Sequence, residues 1–205
     1  MVDWQTSLSK SHPAFSFPDI PLGVLAVDDF FLGQSAADSL FQHLTDNTAW
    51  RQEEIVLFGK RHNQPRLTAW YGLGMSAESK YTQSLPAQPW TPQLIEVKQA
   101  VEQAVGYSFN SVLLNLYRNG DDAMGMHADN EACLGPDPVI ASLSLGVTRN
   151  FILKHRTLGE KVIVPAGHGQ LMVMAGEIQR HWTHGINRSK KITNARLNLT
   201  FRQLR

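Results

Sequence analysis

The sequence predicts an α+β protein, a β-sandwich or jelly roll with helices packed on its outside. Three observations carry this. Beyond Gly106 one short strand pattern follows another, with frequent turns and no helix between them. Before Gly106, two segments place apolar residues at helical spacing. Finally, the run Arg196-Leu197-Asn198-Leu199-Thr200-Phe201-Arg202 alternates without a break. Side chains of a strand point to opposite faces with a period of two, so Leu197, Leu199 and Phe201 form one oily face. Arg196, Asn198, Thr200 and Arg202 form the other. Two arginines separated by an amide and a hydroxyl suit a lined polar slot for a small dianion, because guanidinium presents a fixed fork of donors to a carboxylate. A solvated outer face is the competing reading of the same run.

The elements follow in order. Residues 1–20 mix Ser, Pro and His without a clear period and read as a flexible or surface-bound arm, leaving 21–205 as one domain. Ser35 and Asp38 open a helix through Leu40, Phe41 and Leu44. Residues 54–58 read as a strand, and Gly59-Lys60-Arg61-His62-Asn63-Gln64-Pro65 as a turn-rich basic hairpin loop. The second helix is better signalled: Thr91 is an N-cap, Pro92 takes the first helical position, and Leu94, Val97, Val101 and Val105 repeat at helical spacing before Gly106. Strands are expected over 109–117, 138–147, 150–155, 161–164, 169–174 and 195–203.

Composition narrows the setting. The chain is 42% hydrophobic and 18% charged, with a net charge of only +1. That balance conceals an asymmetry. Residues 149–205 carry 11 Lys and Arg against two acids, and residues 1–148 carry 8 against 16. A segment of about −8 is therefore followed by one of +9, a distribution that suits a polyanionic partner. No apolar run is long enough to span a bilayer, and Met1-Val2-Asp3-Trp4 lacks a signal pattern. The single Cys133 cannot form an internal disulfide, which favours a reducing compartment. The expectation is a monomer with no membrane association, cytoplasmic in a bacterium or nuclear in a eukaryote.

Within the strand-rich half lies His127-Ala128-Asp129. In extended backbone its imidazole and carboxylate face the same way and can share one cation. A third ligand must return from a distant strand, and His184 in His181-Trp182-Thr183-His184-Gly185 is the candidate. Two histidines and one carboxylate make the facial triad of non-haem Fe(II) oxygenases. His155, His168 and His181 compete for the third place. His155 reads as a surface or phosphate-facing histidine between Lys154 and Arg156, and His168 as an exposed one in a Gly-rich turn.

From about Glu54 to the C-terminus the chain resembles the AlkB family of Fe(II)- and 2-oxoglutarate-dependent nucleic-acid dealkylases, most of all its duplex-acting members. The resemblance rests on Phe58-Gly59-Lys60, Pro65-Arg66-x-x-Ala69-x-Tyr71-Gly72, Asn115-Leu116-Tyr117-Arg118-Asn119-Gly120-Asp121, His127-x-Asp129-x-Glu131, His181-Trp182-x-His184 and Arg196-x-Asn198-Leu199-Thr200-Phe201-Arg202. It implies a double-stranded β-helix core over about 107–205, flanking N-terminal helices, and a nucleotide-recognition hairpin region over about 50–85. It also implies Fe(II) held by His127, Asp129 and His184, with 2-oxoglutarate and O2 as cosubstrates. Arg196 and Tyr117 would hold the distal carboxylate of 2-oxoglutarate, with Arg202, Asn115 and Asn198 around its metal-bound end and Thr200 in the same slot.

The resemblance further implies oxidative removal of the alkyl group from 1-methyladenine or 3-methylcytosine in DNA, releasing formaldehyde, succinate and CO2. A stacked base cannot reach the metal and must be flipped out. Tyr71 would lie over the base with the His127 ring beneath, Glu131 at the exocyclic edge, and Arg66 among the substrate contacts. Phe58 would wedge into the vacated stack. Trp70 reads as core packing. Lys60, Arg61, Arg66, Arg149, Lys154, Arg156, Arg188, Lys190 and Lys191 are candidate phosphate contacts. Asn130 departs from the second acid of similar duplex-acting members, which bears on lesion preference. The alternatives are an RNA or single-strand-only demethylase, a 2-oxoglutarate hydroxylase of protein or small molecule, and a non-catalytic module.

Overall fold

The computed structural model describes residues 2–57, 59–72 and 86–205. In chain order these form α1 (Trp4–Ser11), β1 (Val24–Asp28), α2 (Gln34–Asn47), β2 (Glu54–Leu57), β3 (Lys60–Asn63), β4 (Leu67–Gly72) and α3 (Pro92–Val105). The strand-rich half follows as β5 (Ser111–Tyr117), β6 (Met124–His127), β7 (Ile140–Gly146), β8 (Arg149–His155), β9 (Lys161–Ala166) and β10 (Leu171–Ala175). The short helix α4 (Ile178–His181), β11 (Trp182–Ile186) and β12 (Arg196–Arg202) complete it. Phe58 and residues 73–85 of the expected recognition region lie outside the described residues.

Two antiparallel sheets make the jelly-roll core. One runs β1-β10-β7-β12-β5-β4 and the other β6-β11-β8-β9, while β2 and β3 form a separate hairpin. Register explains what each face does. Leu197, Leu199 and Phe201 of β12 lie opposite Leu116, Leu114 and Val112 of β5, and opposite Leu145, Leu143 and Ala141 of β7. This oily face is closed by Leu8 of α1, by Ala37, Leu40 and Leu44 of α2, and by Leu94, Val97 and Val101 of α3. The main hydrophobic core therefore lies outside the sandwich, between the large sheet and its helices. At one end of the space between the sheets, Leu25, Val27, Met172, Met174, Phe151, Leu153 and Trp182 form a second apolar cluster.

The α3 signals are realised. Thr91 Oγ1 accepts from the Leu94 N–H, and Gly106 closes the helix at φ 66°, a left-handed conformation that disfavours other residues. Helix α2 starts one residue before Ser35, from Gly33 and with no side-chain cap. The structure refines two expectations, resolving the first in favour of a bound rather than a flexible arm. Within the supposed arm, Trp4–Ser11 is a capped helix: the Asp3 carboxylate accepts from the Thr6 N–H, and Leu8 is fully buried. Ser11 Oγ donates to the Ala104 carbonyl at 2.7 Å, tying α1 to α3. The basic segment 59–65 is not one long loop, because Lys60–Asn63 pairs with β2 and presents its residues on an exposed strand.

Docking of α1 has a direct test. Leu8→Ala should lower unfolding stability by about 2–5 kcal/mol, as for other fully buried leucines. Urea unfolding curves indistinguishable from wild type would show that α1 contributes nothing to the core.

Candidate metal and 2-oxoglutarate site

The polar face of β12 points inward. Arg196, Asn198 and Thr200 lie opposite Tyr117, Asn115 and Leu113 of β5, and opposite Gly146, Ser144 and Ser142 of β7. All of these polar side chains are buried between the sheets, which rules out the solvated-face reading. They satisfy one another in a ladder. Arg196 Nη2 donates to Ser144 Oγ and to Asn198 Oδ1, both at 2.8 Å. Ser142 Oγ donates to the same Asn198 oxygen, and Asn198 Nδ2 donates to Thr200 Oγ1. Ser142 and Ser144 were not singled out from the sequence, although the alternation in Ile140–Gly146 contains them.

His127, Asp129 and His184 meet across the facing sheet. Register places His184 directly opposite His127, with an irregularity between His184 and Ile186. Gly185 makes this closeness feasible, since a Cβ there would lie 2.8 Å from the Met124 carbonyl oxygen. One ligand atom from each of the three residues lies within 4.8 Å of the other two. His127 Nδ1 lies 2.9 Å from the Gly125 carbonyl oxygen. A carbonyl only accepts, so Nδ1 carries the proton and Nε2 keeps its lone pair. Phe151 stacks on the His184 ring at 5.2 Å between centroids.

The electrostatics keep this set ready for a cation. Burial alone would raise the Asp129 pKa, but Arg202, His184 and His127 outweigh it and hold the carboxyl below its ordinary value. Arg202 Nη2 donates to Asp129 Oδ1 at 2.8 Å. Burial pushes His127 down, helped by Arg202 and Arg66 against Asp129. It pushes His184 down to about 3, again against the pull of Asp129. Both imidazoles are neutral near pH 7, the form in which histidine binds metal. Arg196, lowered by burial to about 10 despite Tyr117, remains a cation.

The residues fit the groups the sequence implied. Nitrogen, carboxylate and nitrogen donors suit Fe(II). Arg196 Nε is buried without a hydrogen-bond partner, a donor aligned with the need for an anionic acceptor. Asn115, Tyr117, Arg196, Asn198, Thr200 and Arg202 line the same cavity as the three metal-ligating candidates. The competing histidines go elsewhere. His155 is buried rather than on the surface, its Nδ1 accepting from the Leu158 N–H and its ring parallel to His181. His168 accepts from the Gly146 N–H and lies 3.1 Å from Asp38.

The substrate contacts need more revision. Tyr71 lies opposite Val112 and belongs to the main core, whereas Trp70 lies opposite Leu113, on the other face of β4, in a smaller apolar cluster. Trp70 is 5% exposed, packs with Leu113, Leu134 and Leu204 and donates its Nε1–H to Ser111 Oγ, so its core reading holds, while the base-stacking expectation for Tyr71 does not. Arg66 is buried, its Nε donating to Asn115 Oδ1 at 2.8 Å. It supports the slot rather than a phosphate. Arg149 is also buried and donates to the carbonyls of Asn119, Asp122 and Asn187. Lys60, Arg61, Lys154, Arg156, Arg188, Lys190 and Lys191 are exposed. Glu131 is half-buried, at the start of the single helical turn Ala132–Leu134.

The depressed His184 pKa fixes the sign of an acid effect. Between its ordinary value of 6.5 and about 3 the unfolded chain holds a proton there that the folded chain does not. Chelator-treated protein should therefore lose stability as pH falls below about 6.5, by up to about 1.4 kcal/mol per pH unit from this group. Urea unfolding at pH 7 and 5 should show a smaller acid loss for His184→Leu than for wild type. Equal losses would contradict the assignment.

Comparison with known proteins agrees with this geometry. A model of the 2OG-Fe(II) oxygenase superfamily matches residues 23–202. The alpha-ketoglutarate-dependent dioxygenase alkB homolog 3 of Bos taurus is 39% identical over 181 residues, 84% of this chain and 63% of that protein. The chain thus spans less than two thirds of that relative. The human DNA oxidative demethylase ALKBH2 is 36% identical over 186 residues, 84% of this chain and 70% of that one. The solved structure of OsALKBH1 superposes with a TM-score of 0.63 at 18% identity, over 92% of this chain and 100% of that one, and speaks for the fold alone. A His-Asp-His set beside an inward-facing pair of arginines, on a jelly roll matched over these spans, places the chain in the AlkB family of Fe(II)- and 2-oxoglutarate-dependent oxygenases.

Proposed function

We propose that this chain removes alkyl groups oxidatively from 1-methyladenine and 3-methylcytosine in DNA, in duplexes as well as single strands. The observation that carries the reading is the single cavity shared by the His127, Asp129 and His184 set and the Arg196 slot. The name of the similar human DNA oxidative demethylase supports DNA as the polymer. The exposed basic residues of β3 and of the C-terminal half supply positioning charge for a phosphate backbone.

Each residue has a defined task. His127, Asp129 and His184 would hold Fe(II), and Arg196 with Tyr117 would bind the distal carboxylate of 2-oxoglutarate. Arg202 fixes the Asp129 carboxylate in its ionised form. Phe151 covers His184 and keeps water from that side. The chemistry supplied by bound Fe(II) is O2 activation coupled to oxidation of 2-oxoglutarate to succinate and CO2, with one oxygen atom passing to the N-alkyl carbon. The hydroxylated carbon would then leave as formaldehyde: its hydroxyl proton is lost, the C=O bond forms, and the N–C bonding pair returns to the base nitrogen as a lone pair.

Two measurements test this. Single- and double-stranded oligonucleotides carrying either lesion, incubated with protein, Fe(II), ascorbate and 2-oxoglutarate, should lose the mass of one CH2 in mass spectra, and His127→Ala should abolish the loss. Loss in RNA or single strands alone would favour the narrower alternative. Succinate formation with no loss from any oligonucleotide would point to a protein or small-molecule substrate. Separately, joint replacement of Lys60 and Arg61 by Ala should weaken DNA binding equally across sequences and reduce the salt slope by about two. An unchanged slope would remove the hairpin from the interface.

A further inference from the structure

The metal-ligating candidates are held by more than their own side chains. Asp129 lies in the loop beyond β6, and its backbone N–H donates to Gln179 Oε1 at 2.9 Å. Gln179 is only 1% exposed. It sits in α4, which leads directly into β11 and reaches His184 five residues later. The Gln179 amide has one orientation here, because an N–H donor requires the oxygen. Its Nε2 donates in turn to Met174 Sδ at 3.6 Å, and Met174 lines the cavity. The next residue, Arg180, grips the same loop further on through Asp137.

We infer that Gln179 is a positioning residue for the metal centre, holding the Asp129 main chain so that its carboxylate and the His184 imidazole stay in mutual reach. The inference rests on the reading of His127, Asp129 and His184 as metal ligands. The Asp129 side chain is aimed from one oxygen by Arg202, but a carboxylate can still swing with its backbone. Gln179 removes that freedom, and it does so from the element that delivers the opposing histidine. Residues that orient ligands in this way commonly influence metal affinity by about 10–100-fold when replaced. Arg180 differs: its pairing with Asp137 is largely exposed, and exposed pairs hold little.

The test is Co(II) titration of the full chain by calorimetry and visible absorption at neutral pH. Gln179→Leu should weaken Co(II) binding by about 10–100-fold and alter the ligand-field bands, while Arg180→Ala stays within about twofold of wild type. Gln179→Met keeps length and shape with a weaker acceptor and carries the same test should the Leu variant fold poorly. Wild-type affinity and spectrum in a folded Gln179 variant would overturn the inference. So would affinity lost only in step with the near-ultraviolet circular dichroism of the fold. Wild type binding Co(II) no better than His184→Ala would overturn the metal reading as well, and that outcome is distinct because it needs no Gln179 variant.

Discussion

A carboxylate that is 1% exposed stays ionised between two sheets because a guanidinium lies 2.8 Å from it. The Arg202–Asp129 pair is the interaction on which the remaining site depends. Removing one partner of such a pair strands the other charge, typically at about 3–5 kcal/mol. Here the penalty of burial has a further consequence. The same low-dielectric surroundings that make Asp129 need Arg202 also keep His127 and His184 neutral. One buried pair thereby sets an anionic oxygen between two imidazoles ready for a cation.

The fold makes room for this polarity by moving its oil elsewhere. In an ordinary sandwich the two inner faces form the core. In this chain the main core lies on the opposite face of the large sheet, under α1, α2 and α3. The helices are thus part of the functional design, since they bury the apolar side of β12 and free its other side for arginine, amide and hydroxyl. Arg149 extends the same logic to the rim. Its three bonds to loop carbonyls tie the segment after β5 to the segment after β11, and its guanidinium lies 5.8 Å from the Tyr117 ring.

Much of this was legible from residue order. The period of two in Arg196–Arg202 and the cap signals of α3 are local physics, and the structure repeats them. The spacing His127-x-Asp129 and the later His184 marked the cation set. What failed was what local pattern does not encode. Tyr71 and Trp70 are neighbours that both end buried, and only the pairing of β4 with β5 decides which joins the main core and which packs on the other face. Arg66 and Arg149 look like surface cations in a list of charges, yet both are buried by partners distant in sequence. Helix α1 carries few apolar residues, so its docking through Leu8 and Ser11 leaves a weak periodic trace. Gln179 bears no charge and stands in no motif, and its task appears only when Asp129 is folded against it.

The central claim is that the inward face of β12 and the His-Asp-His set form one site for a metal-bound dianion. Calorimetric titration of 2-oxoglutarate under anaerobic conditions, with and without Fe(II), tests it most directly. Wild type should bind 2-oxoglutarate tightly only with the metal, and Arg196→Met should lose about 10–100-fold in affinity, the loss expected when a charge-assisted pair is removed. Equal affinity in Arg196→Met, or binding indifferent to Fe(II), would contradict the account.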